Sequence, residues 1–300
     1  MQMVDVKEDK NNIVKKHNQL IKSKNILSGT AHKMLSMVIS MIRIDDAELQ
    51  QYALRQEDYL KLIGSKSKDR EFYITQAEEL MSNPFRIDGK LFNWCSMVDY
   101  ESMEGFLIFE IHKDLKPHLL DLKCNFTEYS IFNILSLRGN YSPKLYELFI
   151  MKWNEYKHYK KSAKSFTFDV TIQYLRDKLN IPDTYRYDNI KKQIITVAQK
   201  QFKEYTDIQF TYTEQKIGRK VDRLIITIKP NAKKIDKKIV SANDYPIEVM
   251  ALKGTPNFSN DEDFIIAYDD GSFQLKKANG SYIYFKSLKQ FIYMLHNKEF

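Results

Sequence analysis

YLRDKLNIPDTYRYDNIKKQIITVAQKQFKEYTDIQFTYTEQKIGRKVDRLIITI, residues 174–228, decides the fold. Its first piece belongs to a helix predicted over 171–179, which ends ahead of Pro182 because proline cannot continue a helix. The next piece, about 187–205, sets Ile190, Ile194, Val197, Ala198 and Phe202 on one face at the 3.6-residue period of a packed helix. DIQFTYT (207–213) and DRLIITI (222–228) then alternate polar and apolar residues, the two-residue period of half-buried strands. Between them lies EQKIGRKV, with Gly218 at the turn. Helix, turn, helix and hairpin in this order predict a winged helix.

Upstream of that stretch, Ser142 and Pro143 predict an N-cap and a first helical residue. The helix they open carries Leu145, Leu148, Phe149, Lys152, Trp153 and Tyr156, and FTFDV (166–170) reads as extended. The first half of the chain repeats the order. An extended piece is expected around 13–21. Ser28 is expected to cap a helix over 29–43, with Ala31, Met34, Leu35, Val38 and Ile42 at helical spacing. Tyr52–Leu54 reads as extended and 56–63 as a helix that Gly64 ends; 69–81 is a second helix, closed by Pro84. Extended pieces follow at 85–88, 91–98 and 106–111. The fold class is therefore α+β: two tandem winged-helix domains, 13–138 and 142–230. A small C-terminal β-meander/helix module follows at 245–300. In that module FIIAY, FQLKK and YIYFK are separated by Asp-Asp-Gly-Ser and Ala-Asn-Gly-Ser, which are hairpin signals, and a helix is expected over 287–297.

Charge is distributed unevenly. Residues 1–140 carry 19 Lys and Arg against 20 Asp and Glu, residues 141–230 carry 18 against 10, and residues 231–300 carry 10 against 9. The excess of the whole chain, +8, thus sits in the second predicted domain. A localised basic field concentrates polyanions by releasing their counterions, and nucleic acid is the usual partner. On the predicted 187–205 helix, the face opposite the apolar stripe presents Asn189, Lys192, Thr196, Gln199 and Lys203, flanked by Gln193 and Lys200. Asn and Gln match adenine edges and Lys reaches guanine or phosphate, so this is a donor set suited to the major groove. Arg186 and Tyr187 stand at the helix start, the end by which such helices approach DNA. Lys216, Arg219 and Lys220 surround the Gly218 turn, where a wing tip touches phosphate or enters the minor groove. In the first domain, Lys66, Lys68 and Arg70 form a weaker candidate, diluted by Asp69, Glu71, Glu78 and Glu79.

Catalytic patterns are missing. There is no phosphate-binding Gly-x-x-x-x-Gly-Lys-Ser/Thr; Gly64-Ser65-Lys66-Ser67 lacks the upstream glycine. The histidines at 17, 32, 112, 118, 158 and 296 form neither His-Glu-x-x-His nor the His-x-His pair of metal-dependent nicking enzymes. The adjacent carboxylates Asp45-Asp46 and Asp269-Asp270 read as turn residues. Cys95 and Cys124 make no disulfide framework and no zinc spacing, and both are expected as buried thiols in a reducing compartment. No apolar run approaches the ~18 residues needed to cross a bilayer, and the N-terminus lacks the apolar core of a signal peptide. The expectation is a cytoplasmic, non-enzymatic DNA-binding protein without cofactor, metal or membrane partner.

The ordered features of 174–228 resemble the second winged helix of the theta-type plasmid replication initiators, the iteron-binding Rep proteins. The marks are a Leu-x-x-x-Leu helix, a tyrosine before a basic helix, Ala198 near that helix's end and KEYTD leading into a strand. Gly218-Arg219-Lys220 and a final apolar strand complete them. VKKHNQLI near the start, the Ser28 helix, the helix-turn-helix closed by Pro84 and SPKLYELF (142–149) extend the resemblance over about 13–230. It implies binding to direct repeats at a plasmid origin, opening of an AT-rich segment and recruitment of the host initiator and helicase. It also implies a monomer–dimer equilibrium, with dimers that form through the first domain and repress the protein's own gene. This sequence departs from the pattern in having no Arg within 188–203. Residues 231–300 lie outside the resemblance and are expected to dock a host protein. A winged-helix repressor without an origin role and a nicking initiator are the competing readings.

Overall fold

The computed structural model describes residues 13–24, 27–43, 46–64 and 70–231, and three strands beyond them. The chain divides into two compact units, Met1–Ala232 and Lys233–Phe300. The first unit contains two winged helices of the same topology. In the first, a capping helix α2 (Gly29–Ser40) precedes strand β2 (Gln51–Arg55). Helices α3 (Gln56–Leu62) and α4 (Arg70–Ser82) follow, then a hairpin of β5 (Cys95–Asp99) and β6 (Phe106–Ile111). In the second, α7 (Ser142–Tyr159) precedes β8 (Phe166–Thr171). Then come α8 (Ile172–Leu179), a helical run over Tyr187–Tyr205, and the hairpin of β9 (Ile208–Ile217) and β10 (Lys220–Pro230). The antiparallel sheet orders are β2-β6-β5 and β8-β10-β9. In each, the strand before the helix pair lies beside the last strand.

Caps fix several boundaries, those at Ser28 and Gly64 as expected. The Ser28 side chain accepts from the Ala31 amide, and Thr171 accepts from that of Tyr174. Gly64 follows α3 at φ +68°, a left-handed conformation that glycine adopts without strain. Four expectations need correcting. The 13–21 stretch is not extended throughout: β1 (Ile13–His17) gives way to a short helix α1 (Asn18–Lys22). The turn into α1 is capped by the His17 ring, whose Nδ1 accepts from the Gln19 amide. The 91–98 stretch is broken, because β4 (Lys90–Phe92) pairs with β3 (Phe85–Ile87) whereas β5 pairs with β6. Buried Trp94 marks the change of partner, its amide donating to Leu80. Tyr141 rather than Ser142 occupies the N-cap of α7, with Pro143 in the first turn. Finally, Cys95 is buried but Cys124 is exposed.

Between the winged helices lie α5 (Lys116–Leu119), β7 (Phe126–Ser130), which pairs with β1, and α6 (Ile131–Leu135). All residues of α7 from Ser142 to Met151 are buried, because this helix packs on α1, α2, α6 and β7 on one side and on the 187–205 helix on the other. Its Glu147 is the centre of a buried polar cluster. Lys16 Nζ donates to Glu147 Oε1 at 2.6 Å, the Tyr129 hydroxyl donates to the same oxygen, and His32 Nε2 lies 3.1 Å from Oε2. Burial works against the Glu147 carboxylate, but His32 and Lys16 outweigh it and hold its pKa well below the ordinary range. Burial pushes the His32 pKa down. Phe149 extends the contact, meeting Phe168, Phe202 and Phe210 edge-on at 5.0–6.1 Å between ring centres.

In the C-terminal unit, strands β11 (Ile265–Ala267), β12 (Phe273–Lys276) and β13 (Tyr282–Phe285) form the expected antiparallel meander. The expected 287–297 helix lies outside the described residues.

Candidate nucleic-acid interface

The helix predicted over 187–205 is continuous but not uniform. It opens as α9 (Tyr187–Asn189), passes through a π turn over Ile190–Ile195 and ends as α10 (Thr196–Tyr205). A π turn closes i→i+5 hydrogen bonds and so fits one more residue into the turn. The apolar stripe shifts accordingly. Ile190, Ile194, Ala198 and Phe202 are buried as expected, but Ile195 joins them while Val197, expected on the packed face, is 39% exposed.

Of the predicted reading residues, Arg186, Lys192, Gln193, Thr196, Lys200 and Lys203 are exposed and Asn189 is half-buried. Two others are engaged by the domain. Gln199 turns toward the sheet and donates from Nε2 to the Phe210 carbonyl at 3.1 Å. Tyr187 is half-buried; burial of its hydroxyl and the nearby Glu214 carboxylate push its pKa up.

The wing is longer than the alternation suggested. Strands of ten and eleven residues are joined by Gly218 and Arg219 alone. Gly218 sits at φ +60° and Arg219 stays negative, the pattern of a type II′ turn, which matches the twist of a hairpin. The last buried residues are Phe210 on β9 and Leu224 on β10, so the ribbon beyond them stands out from the core. Beyond Leu224, which pairs with Glu214, four residues of β10 lead to the turn, roughly 14 Å at ~3.4 Å each, with Val221 still half-buried along the way. Lys216, Ile217, Gly218, Arg219 and Lys220 are all exposed at its end.

Sequence reasoning missed the braces that hold helix and wing together. Lys191 Nζ lies 2.8 Å from Glu214 Oε1, joining the π turn to β9. That hydrogen-bonded ammonium, together with Tyr187, holds the Glu214 pKa below its ordinary value. Arg223 pairs with Asp169 of β8 at 2.9 Å and with Asp222 at 3.0 Å, next to the register shift between Val221 and Arg223. The start of the helix and the tip of the wing thus lie toward one end of the domain, and the C-terminal end of the helix toward the other.

The first winged helix offers less. Lys66 and Lys68 lie outside the described residues. Arg70 is exposed, but its guanidinium donates to the Tyr100 carbonyl and ties α4 to the β5–β6 hairpin. The outward face of α4 carries Glu71, Thr75 and Glu78, a poor match to phosphate. Among the described residues, no group of three or more His, Cys, Asp or Glu is placed to hold a metal ion, and no helix is long and apolar enough to cross a membrane.

The profile described as "Initiator Replication protein, WH1" matches residues 13–150, and that described as "Initiator Rep protein, WH2" matches residues 171–228. The chain belongs to the initiator Rep protein family. Its two winged helices are the two domains that define this family, and α7 begins within the first match. Among solved structures, the chain resembles a Pi initiator protein in complex with iteron DNA. The two share 20% identity and a TM-score of 0.53, over 75% of this chain and all of that one, a likeness of fold. A second similar structure holds domains 2 and 3 of RctB, at 12% identity and a TM-score of 0.42, over 68% of this chain and 81% of that one.

Proposed function

We propose that this Rep-family replication initiator binds iteron repeats of a plasmid origin, with the second winged helix as the main reader. The observation that carries this is the bracing of the π turn to β9 by Lys191 and Glu214. It sets two unlike contact surfaces toward one end: a polar helix start suited to base edges, and a basic tip suited to phosphate or a minor groove. Arg186, Asn189, Lys192, Gln193 and Thr196 read; Lys216, Arg219 and Lys220 clamp. Lys200 and Lys203, nearer the far end of the helix, add phosphate contacts, and Lys66, Lys68 and Arg70 add weaker ones from the first domain. In this reading the protein acts without catalysis, in the cytoplasm. It represses its own gene as a dimer formed through the first domain, and recruits the host initiator and helicase once the origin opens. The C-terminal unit is its docking module for a host protein.

The test is binding of the purified chain to duplex from its own origin repeats beside a scrambled duplex, across a salt series. Lys192→Ala with Gln193→Ala is expected to remove most of the preference, ~1–3 kcal/mol for each base pair no longer read. Arg219→Ala is expected to weaken both duplexes alike and lower the salt slope by about one unit. Equal affinity of the unaltered chain for both duplexes would overturn the proposal.

A further inference from the structure

Between the two family matches lies a segment that neither covers, and the last turn of α7 with the loop after it, KHYKKSAKS (157–165), falls inside it. It holds Lys157, His158, Lys160, Lys161 and Lys164, with no acidic residue from 156 to 168. His158, Lys160, Lys161 and Lys164 are exposed, and among the described residues none of the four lysines has an ion-pair partner. Lys157 and Lys160 instead lie over the Trp153 and Tyr156 rings, at 5.6 and 5.7 Å. Tyr159 is 83% exposed, the most open large hydrophobic side chain of the described residues, and meets the His158 ring edge-on.

The loop is held in shape. Tyr156 before it and Phe166 after it stack at 4.2 Å and 20°, Lys160 donates its amide to Tyr156, and Ala163 donates to Lys160. Residues Tyr156 and 158–165 line an open cleft of about 700 Å³. The cleft is also remote from the wing tip. Phe166 pairs with Ile228, eight residues along β10 from Lys220 at the wing turn, which at ~3.3 Å per residue is about 26 Å.

We propose that residues 157–165 form a second nucleic-acid site, for single-stranded DNA. Lysines that track a backbone beside an open aromatic ring are the chemistry of strand binding, because an unpaired base can lay its face on the ring while its phosphates meet the ammonium groups. Bases within a duplex are already stacked and cannot use Tyr159. Lysines without acidic neighbours explain an affinity for any polyanion; the tyrosine adds a preference for exposed bases. The site does not depend on which duplex the reading helix prefers.

The experiment uses the full chain and a short fluorescent oligo-dT strand, read by anisotropy, with the origin-repeat duplex measured in parallel. Tyr159→Ala is expected to weaken oligo-dT binding by about tenfold or more, and Tyr159→Phe to retain it. Lys160→Glu with Lys161→Glu is expected to weaken it further and to flatten its salt dependence. All three leave duplex affinity within about twofold, whereas Lys192→Ala does the reverse. Three results would overturn the proposal: oligo-dT binding insensitive to Tyr159, parallel loss of duplex and strand affinity, or competition by polyglutamate equal to that by unlabelled oligo-dT.

Discussion

Lys16→Met isolates one buried ion pair between the two winged helices. Lys16 is 2% exposed and Glu147 1%, and their 2.6 Å contact links β1 to α7. Removing the ammonium leaves a carboxylate buried beside a tyrosine hydroxyl and a histidine; breaking a buried pair this way costs ~3–5 kcal/mol. For a unit of this size each kcal/mol lowers the melting temperature by roughly 2–4 °C, so the expected loss is about 6–20 °C. Adding Glu147→Gln removes the stranded charge and keeps an acceptor for Tyr129, so the double variant should recover about half the loss or more. Urea unfolding followed by tryptophan fluorescence suits the question, because the two tryptophans, Trp94 and Trp153, are buried one in each winged helix. The gap between the native chain and Lys16→Met should also narrow toward pH 4.5. Native Glu147 stays ionised there, while in the variant it takes up a proton and relieves the cost. A Lys16→Met loss below about 1 kcal/mol, or no recovery in the double variant, would refute the account.

Two further outcomes follow from the packing. Gly29→Ala, which would normally favour a helix, should destabilise by roughly 1–3 kcal/mol, since a Cβ there would sit 2.2 Å from the Gly139 carbonyl oxygen; a thermal melt unchanged or raised would contradict this. Burial lowers the pKa of His17, His32 and His118, so below the ordinary histidine value of ~6.5 the unfolded chain binds protons that the native chain does not. The urea midpoint should therefore fall between pH 7.5 and 5.5; a midpoint flat across that interval would count against it.

Where the sequence spoke through period and caps, it was legible. Ser28 and Gly64 mark boundaries by side-chain chemistry or by φ, and the 207–228 alternation exposes the wing. Other features leave no such trace. A histidine cap at α1 lies outside the usual Ser, Thr, Asp and Asn set. The turns and short elements over 113–135 are too brief to show a period. The π turn is hidden because Ile194 and Ile195 are adjacent isoleucines, and an unbroken 3.6 count places Val197 rather than Ile195 inward. The braces Lys191–Glu214 and Arg223–Asp169 join residues 23 and 54 positions apart, and no local pattern encodes them. The excess charge of 141–230 was legible as a number, but not its division between two ends of the domain.

That division follows from where the acidic groups are spent. Glu214 holds Lys191, Asp169 and Asp222 hold Arg223, Asp177 lies beside Lys178, and Asp207 accepts from Tyr146 at 2.8 Å. These carboxylates brace the flanks of the sheet and helices; Glu214 bears on the wing tip through Lys216, and none of them lies in the 157–165 loop. At physiological salt the screening length is ~8 Å, a third of the roughly 26 Å that separates the two ends along β10. Neither basic end therefore feels much of the other's field. Reversing charge on the loop should leave the potential at the wing tip nearly as it was, and a duplex held by the wing need not compete with a strand held at the loop. Placed this far apart, one winged helix can grip paired and unpaired DNA at once, an arrangement suited to a protein that must hold an origin while its strands part.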